Sequence, residues 1–297
     1  MRCSVLSLSL LLGWMSVADA EPRYGTPDYR LQRALQGCQQ EPAKAALAEG
    51  ADPDLTLSDG TPGLVRCIAN RPLVELLLDA GADANAAEPS GGLTPLLALT
   101  EKRSELSKRG AYMGSLLLAH GADPDRADRK SETAVHKAAQ QAAGAALLQL
   151  LLRQGAPVAV RDQLQRTPLH RAAYNGHSAN VQLLLSAGAA VDVLDKEGFT
   201  PLGRATERGR IAVVQLLLAG GADPNQEMRA GQTALHLAIA RRRADLVAVL
   251  LAGGADPLHR SQSLGYPRST PIEYALKLGH QETVLELMQH KQGEAEP

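Results

Sequence analysis

The chain has few aromatic residues and no excess of charge of either sign. Phe, Trp and Tyr make up 3% of its 297 residues, with a single Trp and a single Phe. A deep core is usually anchored by aromatic side chains, so this composition predicts a thin core of Ala and Leu. Lys and Arg number 31 against 32 Asp and Glu. This balance excludes a protein built mainly to coat nucleic acid or an anionic membrane.

Outside the first twenty residues the sequence lacks a long apolar run. Residues 1–20 combine a basic start, a short apolar stretch and a small-x-small ending, which is the pattern of a cleaved signal peptide. The apolar stretch is shorter than the roughly 20 residues that a bilayer-spanning helix needs. We therefore expect an exported mature chain that does not insert into a membrane. Its Ala-, Leu- and Arg-rich composition, without an Asn-x-Ser/Thr site, favours a bacterial periplasm.

Cysteine is also scarce. Of three residues, Cys3 lies in the predicted signal peptide, and Cys38 and Cys67 remain, 29 positions apart. Two interpretations stay open for the remaining pair. In an oxidising compartment the two thiols form a disulfide. Alternatively, they are two small, free side chains buried in an Ala-rich core.

Two short markers recur along the chain with a shared period. Gly-Ala recurs at intervals of 31, 40, 34, 33, 33 and 33 residues, and Thr followed by Pro or Ala at intervals of 33, 39, 34, 33, 33 and 37. The shared period of 33 indicates an array of stacked repeats, none of which buries its apolar face alone. The Gly-Ala pairs in this series begin at Gly50, Gly81, Gly121, Gly155, Gly188, Gly221 and Gly254, and the Thr markers in the matching series are Thr61, Thr94, Thr133, Thr167, Thr200, Thr233 and Thr270.

The repeat that begins at Thr167 shows the local structure expected of each repeat. Thr167 is a candidate N-cap, and the Pro after it stands where a missing amide hydrogen costs nothing. Gly176 ends this short helix, a second helix is predicted over 179–187, and Gly188 supplies a left-handed residue at its end. The segment 191–199 reads as an extended, hairpin-like loop. Each repeat is therefore predicted to be helix–turn–helix plus a hairpin loop.

The residues that open and close these repeats resemble the ankyrin-repeat family. Residues 167–173 read Thr-Pro-Leu-His-x-Ala-Ala, followed by Gly-His at 176–177 and Gly-Ala at 188–189, and Thr-Ala-Leu-His-x-Ala recurs at 233–238. The resemblance implies an all-α repeat solenoid of about eight repeats including two caps. The expected domains are a signal peptide at 1–20, a solenoid over 21–291 and a polar tail at 292–297. Within the solenoid, the N-terminal cap repeat covers about 27–53, full repeats start at 61, 94, 133, 167, 200 and 233, and the C-terminal cap repeat covers 270–291.

Two repeats are longer than the period. The repeat from Thr94 has six extra residues around 100–110, and the repeat from Thr233 has a hairpin loop longer by four at 259–269. Each insertion is either a tolerated surface loop or a loop that contacts a partner. Tyr266, with Arg residues nearby, favours a contact role for the second insertion.

The resemblance also implies where a partner binds, because ankyrin-type arrays usually bind through their hairpin tips and first helices. The apolar and aromatic members of this surface have the composition of an interface hot spot ringed by Arg and Glu. The alternative is that Leu194 and Phe199 merely pack between neighbouring hairpins. The implied protein-binding residues are Arg161, Leu164, Arg166, Tyr174, Asn175, Leu194, Lys196, Glu197, Phe199, Glu207, Arg208, Arg229, Arg241 and Tyr266.

The sequence lacks the residue patterns that indicate a catalytic, phosphate-binding or metal-binding site. The glycines are spaced as helix ends rather than clustered to cradle a phosphate, and no His, Cys and Asp spacing resembles a zinc site. The resemblance to the ankyrin-repeat family implies that the His residues at the recurring positions, 136, 170, 177, 236 and 280, are structural. We therefore expect a non-enzymatic protein without catalytic residues, cofactor or metal.

The expected function is binding of a protein partner on the concave face of an exported monomer, with no role for nucleic acid. One form of this hypothesis is an immunity-type inhibitor of a toxic effector, because a rigid preformed surface suits tight capture. The alternative is a periplasmic accessory protein that supports a resident enzyme, such as a catalase in oxidative-stress defence. An unrecognised hydrolase is a remote alternative.

Overall fold

The computed structural model describes residues 22–101, 103–260 and 269–293. These residues divide into two compact units, one up to Asp83 and one from Ala84, within the segment for which the sequence predicts a single array. The predicted signal peptide at 1–20 lies outside the described residues. The helices of the first unit are α1 (Pro27–Gln36), α2 (Gln40–Ala48), α3 (Gly63–Arg66) and α4 (Arg71–Asp79).

The second unit consists of helix pairs arranged in two layers. The first helices of successive repeats contact one another in chain order, and so do the second helices. The first helices are α5 (Pro95–Glu101), α7 (Ala134–Ala139), α9 (Pro168–Asn175), α11 (Pro201–Glu207), α13 (Ala234–Ala240) and α15 (Pro271–Lys277). The second helices are α6 (Arg103–Ala119), α8 (Ala145–Arg153), α10 (Ser178–Ser186), α12 (Ile211–Ala219), α14 (Ala244–Ala252) and α16 (Gln281–Gly293), and short 3-10 helices cover Ala142–Gly144 and Arg229–Gly231.

The core between the two layers is made of small and aliphatic side chains. In the repeat from Thr167, Leu169 and Ala172 of α9 and Leu184 of α10 are fully buried. No β-strand forms within the described ranges, where only two isolated bridges occur in hairpin loops. The predicted all-α repeat solenoid is therefore confirmed as the fold class.

Helix boundaries in this repeat follow the markers in the sequence. Helix α9 begins after Thr167 and ends at Gly176, whose φ of 83° is left-handed. Helix α10 begins and ends one residue earlier than the predicted 179–187. Gly188, at φ 81°, follows it, and a side chain there would strain the backbone.

The first insertion is not a loop, contrary to the prediction. Helix α6 is 17 residues long, whereas α10 has 9, so the extra residues lengthen the second helix by about two turns. Most of the second insertion, including Tyr266, lies outside the described residues. At the C-terminus, α16 continues to Gly293, two residues into the predicted polar tail.

A histidine at the third helical position ties each first helix to the end of the hairpin loop that leads into the next repeat. In the repeat from Thr167, Nδ1 of His170 accepts the Thr167 N–H at 3.1 Å, and Nε2 donates at 3.0 Å to the carbonyl of Phe199, the last residue before the next repeat. These two bonds require the neutral ring with its proton on Nε2. Burial lowers the pKa of His170 to about 4. His136 and His236 make the same pair of bonds, and burial lowers the pKa of each.

We expect the free energy of unfolding to fall as the pH drops below 6.5. In that range the unfolded chain binds protons that folded His170 does not bind until about pH 4, so acid favours the unfolded chain. One such histidine contributes a loss of roughly 2 kcal/mol by pH 5, at about 1.4 kcal/mol per pKa unit. Urea denaturation followed by circular dichroism between pH 7 and pH 5 measures this loss.

The matched control for this titration is His170→Gln. Gln also occupies the third position of a capping box, accepts the Thr167 N–H and does not titrate. In the variant, the free energy of unfolding should depend less steeply on pH, because unfolding takes up about one proton fewer. An unchanged pH dependence would mean that His170 is not the group that titrates.

Candidate functional site

An equivalent buried ion pair occurs three times in succession, each time between a hairpin loop and the first helix that follows it. Asp195 lies in a hairpin loop, and its Oδ2 is 2.6 Å from Nη2 and 2.7 Å from Nε of Arg204 on α11. The Asp195 side chain is fully buried, and that of Arg204 is 9% exposed. The equivalent pairs in the two preceding repeats are Asp162 with Arg171 at 2.7 Å and Asp128 with Lys137 at 2.9 Å.

The second oxygen of each aspartate holds the hairpin tip. Oδ1 of Asp195 accepts the N–H groups of Glu197 at 2.9 Å and Phe199 at 3.0 Å. Oδ1 of Asp162 likewise accepts from the amides of Leu164 and Arg166. Each aspartate therefore fixes its hairpin tip with one oxygen and joins it to a first helix with the other.

Glutamates join these pairs into a wider network. Glu132 contacts Arg171, and Glu197 and Glu207 lie 3.0 and 3.1 Å from guanidinium nitrogens of Arg204. Burial acts to lower the pKa of Arg204, but the hydrogen bonds that its guanidinium donates to the carboxylates outweigh burial, and the pKa is raised. Burial lowers the pKa of Arg171. Both guanidinium groups remain charged at neutral pH, since an arginine pKa stays far above 7.

A groove of about 410 Å³ runs along the first helices of the repeats from Thr167 and Thr200. We call it the first-helix groove. Among the sequence-predicted residues, Arg166, Tyr174, Asn175, Glu197 and Glu207 line it. Its lining is completed by four residues that the sequence patterns do not assign to a binding surface, namely Gln140, His170, Arg171 and Arg204.

The predicted apolar residues of the hairpins lie outside the first-helix groove. Leu164 and Leu194 are exposed on neighbouring hairpin loops. The Lys196 N–H donates to the Leu164 carbonyl at 2.8 Å, and Arg161 Nη1 donates to the Leu194 carbonyl at 3.3 Å. These bonds tie successive hairpins together through the backbone and leave both leucine side chains facing solvent.

Two of the three predicted aromatic residues, Tyr174 and Phe199, each lie beneath an arginine. The Arg208 guanidinium is 4.6 Å from the Tyr174 ring centroid, and that of Arg204 is 4.4 Å from the Phe199 centroid. Tyr174 is 37% exposed at the end of α9 and lines the groove. Phe199 is half-buried, and its ring packs against the shared guanidinium of the ion-pair network. A cation over an aromatic ring stabilises both positions.

Several other predicted contact residues are engaged within the chain. Arg241 Nη1 donates to the Glu207 carbonyl at 3.0 Å, and Asn175 Nδ2 donates to the Arg171 carbonyl at 2.8 Å. Arg229 is exposed, and its N–H donates to Gly198 of the preceding hairpin.

The row of ion pairs was missed at the sequence level, although the sequence contains a signal for it. When the repeats are aligned on their threonines, an Asp five residues before and a cation four residues after occur together in three repeats. In the next repeat both positions change together, to Met228 and Leu237, and both side chains are buried. Joint replacement of acid and base indicates a contact between the two positions.

The first compact unit contains a disulfide. Cys38 follows α1 and Cys67 follows α3, and their sulfurs are bonded with a Cα–Cα distance of 5.4 Å. Because the bond connects neighbouring helix pairs of one unit, it constrains how the two pairs pack.

Among the helices of the described residues, none has both the length and the hydropathy of a bilayer-spanning segment. The same residues contain no group of three or more His, Cys, Asp or Glu side chains placed to hold a metal ion.

Stacked helix–turn–helix repeats joined by hairpin loops define the class of helical repeat scaffolds. A family model described as "Ankyrin repeats (3 copies)" matches the chain at residues 106–195, 141–228 and 181–261. These overlapping matches span more than half of the chain, which therefore belongs to the ankyrin-repeat family. Such repeats generally serve as non-enzymatic scaffolds for protein–protein interaction, so a protein-binding role is indicated.

Proposed function

We propose that this chain binds a protein partner through the first-helix groove and the adjoining hairpin tips. The observation that carries the proposal is a half-exposed Tyr174 in a groove whose walls are fixed by buried ion pairs. Tyr and Arg are the residues that most often dominate binding energy at interfaces. Because backbone bonds and aspartates already hold the hairpins, little conformational entropy is lost when a partner binds.

We further propose that the mature chain begins near residue 21 and acts in a periplasm. The signal-like pattern of residues 1–20 supports export. The bond between Cys38 and Cys67 supports an oxidising compartment, since structural disulfides are rare in reducing ones. We also propose that the predicted solenoid boundaries, 21–291, delimit the functional module.

The specific role that we propose is inhibition of an effector protein that acts in the same compartment. Support comes from the preformed surface, which favours tight and lasting capture over transient contact. Identification of the partner distinguishes this role from support of a resident enzyme.

Affinity capture with the mature chain from a periplasmic extract, followed by mass spectrometry, tests this proposal. Tyr174→Ala should weaken binding of the captured protein by tenfold or more, because it removes a partly exposed aromatic anchor. The matched control is Tyr112→Ala on α6, a tyrosine of similar exposure, 43%, in the layer of second helices. This control should change the affinity less than twofold. Thermal melting establishes that both variants are folded.

The proposal is wrong if the mature chain captures no protein in stoichiometric amount, or if the two tyrosine variants bind equally well. Capture of a toxin-like effector supports inhibition, whereas capture of a resident enzyme overturns inhibition in favour of the accessory role.

A further inference from the structure

Five arginines occupy two neighbouring turns between a first helix and a second helix. Two of them lie between α11 and α12, and three lie between α13 and α14. All five side chains are at least partly exposed. The corresponding turn after α9 reads Asn-Gly-His at 175–177 and contains no arginine. We call these five residues the arginine cluster, which consists of Arg208, Arg210, Arg241, Arg242 and Arg243.

The two turns are joined to each other and to the end of the first-helix groove. Arg208 lies over the Tyr174 ring, and Arg210 Nε donates to the Tyr174 carbonyl at 3.4 Å. One repeat further along, Arg241 Nη1 donates to the Glu207 carbonyl at 3.0 Å. The arginine cluster therefore continues the surface that begins at Tyr174.

The cluster keeps an excess of positive charge when its acidic neighbours are counted. Asp245 binds Arg243 with both carboxylate oxygens, at 2.9 and 2.7 Å. Glu207 lies 3.5 Å from Arg241, and its other oxygen lies 3.1 Å from Arg204. Five cations and two carboxylates leave an excess of three positive charges, or of two when Arg204 and its other two carboxylates are added. The next turn, 277–282, holds one Lys and one Glu, so it does not change this excess.

Three arginines of the cluster have no carboxylate partner within the part of the chain that the structure describes. Arg208 faces an aromatic ring, and Arg210 bonds a backbone carbonyl. Arg242 Nε donates to Nε2 of His280 at 2.9 Å. That bond requires an unprotonated Nε2 and is met by a neutral ring, which leaves the charge of Arg242 uncompensated. Each of the three guanidinium groups therefore keeps N–H donors for another molecule.

Arg242 stands where the neighbouring repeats have glycine. At the same distance from the opening threonine these repeats have Gly176, Gly209 and Gly279, with φ values of 83°, 69° and 71°. Arg242 takes the same left-handed conformation, at φ 54°, which is unfavourable for a residue with a Cβ. The turn alone therefore favours glycine at this position. Strained residues of this kind occur mainly at functional sites, so the arginine points to a ligand.

The geometry of the cluster suits carboxylates presented by an extended peptide. Asp245 already shows the binding mode, because two parallel bonds to Arg243 are the strongest arrangement between a guanidinium and a carboxylate. Packed helices lie about 8–10 Å apart, which sets the distance between the two turns. About three residues of an extended chain cover the same length. Acidic side chains of one short segment can therefore reach both turns at once.

We propose that the arginine cluster binds an acidic peptide segment, and that the protein partner supplies this segment. The proposal rests on the proposed function, because it specifies the chemistry of the surface that the partner presents. Since the cluster adjoins Tyr174, one partner reaches the first-helix groove and the cluster together. The expected partner carries a run of Asp or Glu beside the part that contacts Tyr174.

The first test is a titration of the mature chain with acetyl-Glu-Glu-Glu-Glu-amide, followed by NMR at the Gly209 amide beneath Arg243. We expect saturable shifts that weaken as salt is added, and none with acetyl-Lys-Lys-Lys-Lys-amide. Arg242→Gly should weaken the acidic peptide about threefold, within the range of an exposed ion pair. The matched control is Arg153→Gln, which removes an exposed arginine at the far end of a second helix, α8, and should leave the affinity unchanged.

The stability of Arg242→Gly separates lost binding from lost folding. Glycine relieves the left-handed strain, so this variant should melt at a higher temperature than the wild type while binding the acidic peptide more weakly. Equal affinity of Arg242→Gly and the wild type overturns the proposal. Failure of the acidic peptide to bind also overturns it, including the case in which phosphatidylglycerol vesicles bind instead, because the cluster would then recognise a lipid surface.

The second test uses the captured partner and separates the proposal from the proposed function. The double variant Arg208→Gln with Arg242→Gly removes two unpaired cations and should lower the affinity about tenfold, with a weaker salt dependence. If Tyr174→Ala weakens capture while the double variant binds like the wild type, the arginine cluster does not bind the partner and the proposed function stands. If no protein is captured at all, the proposed function is overturned, and the peptide titration alone decides what the cluster binds.

Discussion

Replacement of Asp195 by Ala is expected to lower the free energy of unfolding by about 3–5 kcal/mol, the usual cost of breaking a buried ion pair from one side. The substitution leaves the guanidinium of Arg204, which is nearly buried, without its closest partner. It also removes the acceptor for the amides of Glu197 and Phe199 at the hairpin tip. Urea denaturation followed by circular dichroism measures the loss.

The chain itself supplies the matched control for this prediction. The repeat from Thr233 carries Met228 and Leu237 at the two equivalent positions, and both are buried. Asp195→Met combined with Arg204→Leu reproduces that apolar pair and leaves no buried charge unpaired. Replacing a buried ion pair by packed apolar side chains is often neutral or stabilising. The double variant should therefore recover more than half of the stability that Asp195→Ala loses.

If the double variant is as unstable as the single one, the ion pair is not the source of the effect. The loss would then come from the hairpin tip alone, because both variants lack the oxygen that accepts its two amides.

Helix boundaries were predictable because single residues dictate them. A threonine oxygen or its partner at the third helical position satisfies the free amides at a helix start, and only glycine takes a left-handed backbone at low cost. Both rules act locally, so the start of α9 at Pro168 and its end before Gly176 follow from the sequence. The same local rules placed α10 within one residue.

The first insertion was mispredicted because spacing counts residues without saying which element takes them. The extra residues extend α6 from Arg103, a segment rich in Glu, Lys, Arg and Leu. These residues have high helix propensity, and helix extension adds a hydrogen bond for each residue once a helix exists. In this segment the helix propensity of the residues, and not the repeat period, predicts that the insertion extends a helix.

The sequence predicts several residues of the binding surface, but it does not predict the network of ion pairs beneath that surface. The family resemblance named Tyr174 and Glu207, which the structure places in one groove. The contact between Asp195 and Arg204 depends on how a hairpin packs on the following helix, nine residues later. No local rule fixes that geometry, although the joint change of the two positions between repeats records it.

Reduction of the bond between Cys38 and Cys67 is expected to destabilise the first unit by about 3.5 kcal/mol. The cysteines are 29 residues apart, and closing a loop of that length removes this much conformational freedom from the unfolded chain. Because the constraint acts on the unfolded first unit, its loss should promote unfolding of that unit rather than of distant repeats. A change of this size corresponds to roughly a few hundredfold in the unfolding equilibrium.

Hydrogen exchange with and without dithiothreitol measures the effect, with α10 of the second unit as an internal reference. Amides of α4 should exchange a few hundredfold faster after reduction, and those of α10 should keep their rates. A variant with both cysteines replaced by Ala serves as the control, since it cannot respond to the reductant. Equal exchange of α4 in the two redox states would mean that the bond does not stabilise the fold. The bond would then report the compartment in which the chain folds without contributing to the stability of the first unit.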